Sequence, residues 1–307
     1  MPGYKVIVNP AAGRGAGGRA VPQVEHLLNQ HRLNFDLVCT ERPWHAAELA
    51  QEAAVDYDTV VAVGGDGTTN EVLNGLMQAK LAGVTPCAMG ILCVGRGNDF
   101  AYGMGIPLDL KGGCQALAQD HRRTIDVGRV VSSRYPQGRY FGNGIGIGFD
   151  AAVNVEASKM TRLRGFVCYF AAVLKTVFLY YRAPTTVIEC DVQTITQPSL
   201  MISVMNGQRM GGGFVMAPEG KPDDGLFDLC IAREVSRARI FGLIPHFMRG
   251  TQATQEPIKM RQARHVIVTA IQGMLPAHAD GETLCIDEQR LEMELLPSRI
   301  EVICSPA

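Results

Sequence analysis

The stretch TVVAVGGDGTTNEVLNGL, residues 59–76, joins an apolar run, a glycine-rich turn and a helical segment. Thr59 to Val63 is continuous and β-branched, which is typical of a strand buried on both faces of a parallel sheet. Gly64-Gly65-Asp66-Gly67 then turns the chain, and Thr69 to Met77 is predicted to form a helix. A buried strand that leads through a tight turn into a helix is the repeating unit of parallel α/β sheets.

The same pattern recurs around this stretch. Strands are predicted at 4–8, 35–40 and 88–94, and helices at 21–29 and 44–54. Because parallel strands need crossover connections, the first third of the chain is expected to form an α/β domain with a parallel sheet.

Short strand-like runs dominate after residue 125. They lie at 139–141, 186–192, 199–205, 226–232, 265–270 and 290–295, and helical segments interrupt them at 151–182 and 237–248. This spacing predicts a mostly β C-terminal domain, built as an antiparallel β-sandwich. We place the boundary near Thr124, which divides the chain into domains 1–124 and 125–307.

Composition excludes several classes of protein. The chain has 307 residues, 47% of them hydrophobic, which suits a folded protein of about two domains. Its 29 basic and 30 acidic residues give a net charge of -1, so the usual electrostatic basis for nucleic-acid binding is missing. No signal-peptide pattern precedes the first strand, and the apolar segment 165–181 is short and carries Lys175. We therefore expect a cytoplasmic protein without a transmembrane helix.

Three glycine-rich loops follow three of the predicted parallel strands and begin at Asn9, Gly64 and Gly95. Because the carboxyl ends of parallel strands meet at one edge of a sheet, the loops are expected to converge. Glycines let backbone N–H groups approach phosphate oxygens, and the N-terminus of a following helix favours anions. Asp66 would repel a phosphate unless a cation lay between them, which indicates Mg²⁺.

Six ordered segments resemble motifs of the diacylglycerol kinase catalytic-domain family, which includes bacterial lipid kinases, sphingosine kinases and ceramide kinases. Together they extend over nearly the whole chain. The segments are Asn9-Pro10-Ala11-Ala12-Gly13, GGDGTTNEVLNGL at 64–76, GRGNDFA at 95–101, GNGIGIGFDA at 142–151, GGG at 211–213 through AP at 217–218 to DDGL at 223–226, and DGE at 280–282.

The resemblance implies an NAD-kinase-like fold for the first domain and phosphoryl transfer from ATP to an alcohol group. The expected enzyme is an ATP- and Mg²⁺-dependent kinase of diacylglycerol or a related lipid, active in lipid metabolism and phospholipid biosynthesis. Domain 1–124 would bind the nucleotide and domain 125–307 the lipid acceptor. By similarity, the nucleotide-binding residues are Asn9, Pro10, Ala11, Ala12, Gly13, Thr40, Gly64, Gly65, Asp66, Gly67, Thr68, Thr69, Asn70, Arg96, Asn98 and Asp99.

The resemblance also assigns roles to acidic residues. Asp66 and Asp99 would help to hold Mg²⁺. Glu282 would take the proton of the acceptor hydroxyl, with Asp126 as a supporting carboxylate, because a carboxylate within hydrogen-bond reach can remove that proton as bonding to phosphorus develops. A structural cation site would be formed by the Asp224 side chain and the carbonyls of Lys221 and Leu226.

One residue departs from the family pattern. Arg96 stands where the family usually has threonine, and its guanidinium could bind a phosphate bidentately. The change is expected to affect the geometry of the nucleotide or the choice of nucleotide donor. It also leaves open a non-catalytic nucleotide or lipid sensor of the same fold.

Two further enzyme classes remain as alternatives. The GGDG turn also occurs in NAD kinases, so a soluble kinase of a nucleotide ribose is the nearest rival. A nicotinamide dehydrogenase would rest on Gly13, Gly15 and Gly18 as G-x-G-x-x-G, but Asn9-Pro10-Ala11-Ala12 separate the strand from the first glycine.

Expected partners follow from the lipid-kinase interpretation. The substrate is a lipid, and no nucleic acid is expected. The segment 157–182 carries five basic residues and no acidic one, which favours peripheral contact with an anionic membrane, at the inner membrane face. A homodimer could form through a sheet edge of the second domain.

Overall fold

The computed structural model describes residues 3–85, 87–95, 97–160, 165–179 and 183–306. The chain divides into two compact units, the first comprising Met1–Asp126 and Ser298–Ala307 and the second Val127–Pro297. The C-terminal segment thus returns to the first unit. The domain boundary near Thr124 stays a prediction.

The first unit alternates strands and helices. Its elements are β1 (Tyr4–Val8), α1 (Ala12–Gln30), β2 (Phe35–Cys39), α2 (His45–Ala53), β3 (Thr59–Gly64), α3 (Asp66–Leu81), β4 (Ala88–Cys93), α4 (Asp99–Gly103), α5 (Leu110–Gln119) and the start of β5 (Arg122–Val131). Strands β2, β1, β3 and β4 are neighbours in that order, and every pairing among them is parallel. The predicted parallel α/β fold is confirmed.

The apolar runs of the sequence explain the core of this unit. All six residues of β3 are buried, as are all six of β4. Val6, Val8, Val61 and Val63 belong to a cluster that also contains apolar residues of α1 and α5. Helix α3 lies close to α2, because Gly75 has no side chain: a Cβ there would come within 2.1 Å of the Ala47 carbonyl oxygen.

The second unit is mostly antiparallel sheet. It contains the end of β5, then β6 (Arg139–Phe141), β7 (Gly144–Gly148), α6 (Phe149–Lys159), α7 (Gly165–Leu179), β8 (Thr185–Cys190), β9 (Gln193–Met205), β10 (Arg209–Met210), β11 (Phe214–Val215), β12 (Phe227–Arg233), α8 (Arg237–Arg249), a 3₁₀ turn (Gln252–Thr254), β13 (Ile258–Ala263), β14 (His265–Gln272), β15 (Leu275–Ala279), β16 (Glu282–Glu288) and β17 (Arg290–Ile303). Strand β17 ends in the first unit, where Val302 pairs in parallel with Met89 of β4.

Strand β9 joins two sheets into the predicted β-sandwich. One part of β9 pairs with β8, which continues through β14 to β17. The other part pairs with β7 and β12, and these lead to β15, β16 and β13. The sandwich interior is apolar and includes Phe141 and Phe227, whose rings stack at 5.5 Å. A second apolar cluster includes residues of α6, α7 and α8.

The bounds of several elements differ from the predictions, most clearly in three helical segments. Helix α1 begins at Ala12 instead of residue 21, but Gly13, Arg14 and Gly15 have left-handed dihedrals, so regular helix follows only after Gly15. Helix α3 begins at Asp66 instead of Thr69. The helical stretch predicted over 151–182 contains α6 and α7, and residues 161–164 and 180–182 within it lie outside the described part of the chain.

Candidate active site

Three loops of the first unit are joined by hydrogen bonds at the carboxyl edge of its parallel sheet. The Asn9 backbone N–H donates to the Val63 carbonyl at 3.0 Å, and the Asn9 side-chain Nδ2 donates to Thr68 Oγ1 at 3.0 Å. The Val94 N–H donates to the Gly64 carbonyl at 2.9 Å. The loops after β1, β3 and β4 therefore converge, as their positions in the sequence predict.

Two glycines allow the loops to come this close. Gly13 has φ +57°, and a Cβ there would lie 2.5 Å from the Val94 carbonyl oxygen. A Cβ on Gly95 would lie 2.3 Å from Gly65 Cα. Any side chain at either position would push the loops apart, since real Cβ atoms do not approach other atoms so closely. These glycines are needed for the loop geometry.

Two carboxylates face the same small space in this region. Asp66 Oδ1 accepts a hydrogen bond from the Phe100 N–H at 3.1 Å, which joins the start of α3 to α4. A Cβ built on Gly97 would lie 2.8 Å from Asp66 Oδ2 and 3.3 Å from Asp99 Oδ2. The two negative oxygens repel each other, and a cation there would offset the repulsion. Mg²⁺ binds through one or two carboxylates and substrate phosphates, so this pair suits it.

Other residues that are predicted to bind the nucleotide follow β2 or lie in α3, at the same edge of the sheet. Thr40 follows β2 directly, is buried, and donates its N–H to the Val8 carbonyl at 2.8 Å. Thr68, Thr69 and Asn70 are buried in the first turns of α3. The first N–H groups of a helix have no partner within it and carry its positive dipole end. This edge of the sheet can attract an anion.

The loop after β4 is described only in part. Asn98 has φ +51°, and its Oδ1 is buried without a hydrogen-bond partner among the described residues. Arg96, the departure from the family pattern, lies outside the described residues. Its effect on the nucleotide stays a prediction.

The structure adds two cations that motif matching did not select. Arg14 is exposed within the left-handed turn, and a Cβ on Gly15 would lie 3.1 Å from Arg19 Nη1. Arg19 is one helical turn beyond the loop, so a motif that stops at Gly13 misses it. The signal that could have found both is the presence of two arginines within the glycine-rich segment 13–19.

The DGE segment separates into a structural acid and an exposed one. Asp280 accepts hydrogen bonds from three consecutive backbone N–H groups, those of Gly142 at 2.8 Å, Asn143 at 2.9 Å and Gly144 at 2.9 Å. Its own N–H donates to the Gly144 carbonyl. Asp280 thereby holds the turn at 280–282 against residues 142–144. Glu282, two residues after Asp280, is exposed at the start of β16.

Asp126 is a buried carboxylate of the first unit. It is 1% exposed, and its Oδ1 accepts the Ser298 N–H at 2.7 Å. The residue thus holds the point at which the C-terminal segment returns to this unit. Its assistance to Glu282 stays a prediction.

The predicted structural cation site lies in an exposed turn of the second unit. Asp224 Oδ1 accepts the Leu226 N–H at 3.1 Å, and Lys221 is exposed. Burial raises the pKa of nearby Asp228, and the charges of Asp224 and Glu219 raise it further. Within the described residues, no three His, Cys, Asp or Glu side chains are grouped to hold a metal ion. A site here would therefore depend on carbonyl ligands.

An apolar cavity lies within the second unit. It offers about 60 Å³ of space and is lined by Phe149, Asp150, Val153, Val173, Leu200, Met201, Phe214, Met216, Ala232, Ile240, Leu243, Ile244 and Phe247. Among the described residues of this lining only Asp150 is charged, and His278 lies 3.2 Å from it, with both side chains buried. Such a lining favours apolar over polar groups, because contact with water is unfavourable for its side chains. The sequence did not reveal it, because its lining comes from six separate segments.

The positive charge of segment 157–182, which is predicted to contact membranes, is partly neutralised by an acidic residue outside the segment. Glu156 is 2% exposed, and both Lys159 and Lys175 pair with it. These lysines hold the pKa of Glu156 below its usual range. Arg162, Arg164 and Arg182 lie outside the described residues. No helix within the described ranges combines the length and apolar character that a membrane crossing needs.

Comparison with known proteins agrees with these features. The family model for the diacylglycerol kinase catalytic domain matches residues 3–130, and the model for the YegS C-terminal NAD kinase beta sandwich-like domain matches residues 143–304. Diacylglycerol kinase of Bacillus subtilis strain 168 is 29% identical over 282 residues, which cover 91% of this chain and 89% of the relative. Diacylglycerol kinase of Mycobacterium tuberculosis strain H37Rv is 26% identical over 299 residues, 97% and 93% of the two chains.

Solved structures show the same fold. A diacylglycerol kinase from Bacillus anthracis superposes with a TM-score of 0.76 at 20% identity, over 99% of this chain and 97% of the other. An NAD kinase from Archaeoglobus fulgidus, solved in complex with ATP, gives a TM-score of 0.53 at 15% identity, over 98% and 93%. The NAD-kinase-like fold class is confirmed. With both parts matched in order along the sequence, the chain belongs to the diacylglycerol kinase catalytic-domain family.

Proposed function

We propose that this kinase transfers the γ-phosphoryl group of ATP to a hydroxyl of diacylglycerol or a related lipid, and that it requires Mg²⁺. The observation that carries the proposal is the pair of carboxylates, Asp66 and Asp99, beside Gly97 at the meeting point of three glycine-rich loops. Glycine loops and helix N-termini bind phosphates, and two carboxylates beside them suit a cation that bridges protein and phosphate.

The first unit would bind the nucleotide. Asn9 to Gly13 and Gly64 to Asn70 would approach the phosphates through backbone N–H groups, with Thr40 and Asn98 nearby. Asp66 and Asp99 would hold Mg²⁺, which would neutralise charge that develops on the phosphoryl oxygens. Arg14 and Arg19 would add positive charge beside the first loop.

The second unit would supply the acceptor chemistry. Exposed Glu282 would take the proton of the lipid hydroxyl, while Asp280 holds the turn that carries Glu282. The apolar lining of the cavity would contact part of a hydrocarbon chain of the substrate. This cavity favours a lipid acceptor over a nucleotide ribose, since a ribose has no apolar part to bury.

Three assignments remain part of the proposal. Asp126 would support Glu282. Asp224 and the carbonyls of Lys221 and Leu226 would hold a structural cation that stabilises the turn. The enzyme would act in phospholipid metabolism in the cytoplasm, at the surface of a membrane.

The test is transfer of radiolabel from γ-labelled ATP to a panel of acceptors, with and without Mg²⁺. The panel contains diacylglycerol, sphingosine, ceramide, phosphatidylglycerol and NAD. Label on a lipid is expected, and Glu282→Gln should reduce turnover by a factor on the order of 10²–10⁴ while ATP still binds. Label on NAD alone would overturn the lipid assignment. No label on any acceptor would favour a non-catalytic sensor.

A further inference from the structure

Trp44 is the single tryptophan of the chain, and its backbone is left-handed, with φ +66° and ψ +1°. A positive φ is uncommon for residues other than glycine and is an outlier for a bulky side chain. The Trp44 carbonyl begins α2, because it accepts the N–H groups of Ala47 at 3.2 Å and Glu48 at 3.4 Å. Glycine would begin the helix in the same way without strain, so the start of the helix does not explain a tryptophan here.

The loop that carries Trp44 is fixed by hydrogen bonds on both sides of it. The Glu41 N–H donates to His45 Nδ1 at 3.1 Å, and the His45 N–H donates to the Arg42 carbonyl at 3.2 Å. Both terminal nitrogens of Arg42 donate to the Glu48 carboxylate. These bonds hold Trp44 in a conformation that costs free energy, and residues in such conformations concentrate at functional sites.

Contacts within the first unit place Trp44 beside two of the glycine-rich loops. Before it in the chain, the Thr40 N–H donates to the carbonyl of Val8, the last residue of β1. After it, the Ala46 N–H donates to Oε2 of Glu71 in α3 at 3.2 Å. Trp44 therefore lies between the strand that leads into the first loop and the helix that follows the second.

The order of the strands indicates which part of a nucleotide would reach Trp44. Strands β2, β1, β3 and β4 are neighbours in that order. In the proposed function, Asp66 and Asp99 hold Mg²⁺ at the ends of β3 and β4, and Mg²⁺ bridges the β- and γ-phosphates of ATP. The base is at the opposite end of the nucleotide. Trp44 follows β2, which is the opposite end of this row of strands.

The Trp44 side chain has surface that a flat ligand group could cover, since the residue is 38% exposed. Nucleotide bases stack on aromatic side chains, and every base has a π-face that can do so. We propose that the Trp44 indole stacks on the base of the nucleotide donor. The inference rests on the proposed function for the presence of that nucleotide, and it adds a contact to the base where the glycine-rich loops would contact only phosphates.

The first experiment uses the tryptophan emission of the protein, which comes from Trp44 alone. Emission is followed during titration with ATP and, separately, with tripolyphosphate, which has the phosphates but no base. ATP should quench the emission and tripolyphosphate should leave it unchanged. No response to ATP, or the same response to both ligands, would overturn the stacking.

A second experiment separates contact with the base from a purely structural role. By calorimetry, Trp44→Gly should lose roughly tenfold in ATP affinity, the size of one stacking contact, and should bind tripolyphosphate like the wild type. Trp44→Phe should lose less, because its ring can still stack. Arg32→Gly is the matched control, since Arg32 is exposed at φ +56° before β2 begins, at the opposite edge of the same sheet. It should keep the ATP affinity of the wild type.

Equal loss of affinity for ATP and tripolyphosphate in Trp44→Gly would show that Trp44 only shapes the loop, and would overturn the contact with the base. Failure of the proposed function gives a different result. If ATP quenches Trp44 but no lipid is phosphorylated, the base contact stands and the lipid-kinase assignment fails. If a lipid is phosphorylated and Trp44→Gly keeps the wild-type KM for ATP, the assignment stands and the base contact fails.

Discussion

Asp66 accepts the backbone N–H of Phe100 through Oδ1 at 3.1 Å, and its second oxygen lies beside Gly97. One carboxylate therefore does two things: it ties the loop after β3 to the loop after β4, and it presents a negative oxygen next to Asp99. The two functions can be separated, because an amide keeps an acceptor oxygen and loses the charge.

Asp66→Asn is expected to keep the fold and to reduce Mg²⁺-dependent phosphoryl transfer by a factor on the order of 10² or more, as electrostatic groups at a phosphoryl site do. Asp109→Asn is the matched control, since Asp109 caps α5 through the Gly112 N–H in the same unit. Kinetics at varied Mg²⁺ and thermal melting check both variants. Full activity of the Asp66 variant would remove this residue from the cation site.

Gly13→Ala should weaken ATP binding by about tenfold or more, because its Cβ would clash with the Val94 carbonyl and displace the first loop. Gly83→Ala is the control: Gly83 also has positive φ, but nothing lies within 4 Å of its Cβ position. Both variants should lose about 1 kcal/mol from left-handed strain. Calorimetric titration with ATP measures the effect of the displaced loop on ATP affinity separately from the loss of stability through strain. Equal ATP affinity in both variants would contradict the expected effect of the clash.

Asp280→Asn should destabilise the second unit by about 3 kcal/mol, since an amide nitrogen would face N–H donors that the carboxylate now satisfies. Asparagine tolerates the left-handed φ of +47° at this position, so backbone strain is not added. Glu282→Gln, in contrast, should leave stability unchanged and reduce turnover by a factor on the order of 10²–10⁴. Urea denaturation of both variants checks this division, and an equal loss of stability would refute it.

Glu156→Gln should cost about 1 kcal/mol at pH 7, because Lys159 and Lys175 lose their shared carboxylate. The pKa of Glu156 is lowered in the folded state, so its stabilisation is present above about pH 4.5, the usual value, and is lost as the pH falls further. The difference in melting temperature between variant and wild type should therefore shrink at low pH. Glu256→Gln removes the exposed pair with Arg233 and should change stability little at any pH.

Asp228→Asn should raise the melting temperature when divalent cations are removed by a chelator. Burial raises the pKa of Asp228, so its contribution to stability is greatest below about pH 3.8 and falls as rising pH ionises the buried carboxyl. Asparagine keeps the acceptor for Gln262 Nε2. If a cation binds at Asp224, adding it should stabilise the wild type more than the variant. A lower melting temperature of the variant in chelator would contradict this account.

Most of the fold could be predicted from local patterns in the sequence. The run at 59–63 and the glycine turn after it predicted β3 and the start of α3 within a few residues. A strand that is buried on both faces is a continuous apolar run, and such a run between turn residues is easy to recognise. The left-handed turn at Gly13 to Gly15 could not be foreseen, since Arg14 adopts a conformation that only its surroundings stabilise. The segment 157–182 contains only basic charges because Glu156, the acid that pairs with two of its lysines, lies one residue before the segment.

The sequence by itself determined the two-part architecture, the three glycine-rich loops and the acids of the motifs, because strand periodicity and glycine turns are local properties. Only the tertiary structure decided which acids bind backbone groups of the fold and which are exposed. Asp280 and Glu282 are two residues apart, yet Asp280 accepts hydrogen bonds from three consecutive backbone N–H groups at 142–144 and Glu282 is exposed. The apolar cavity likewise arises only when α6, α7 and α8 close over the sheet, since packing brings together residues that no local pattern connects.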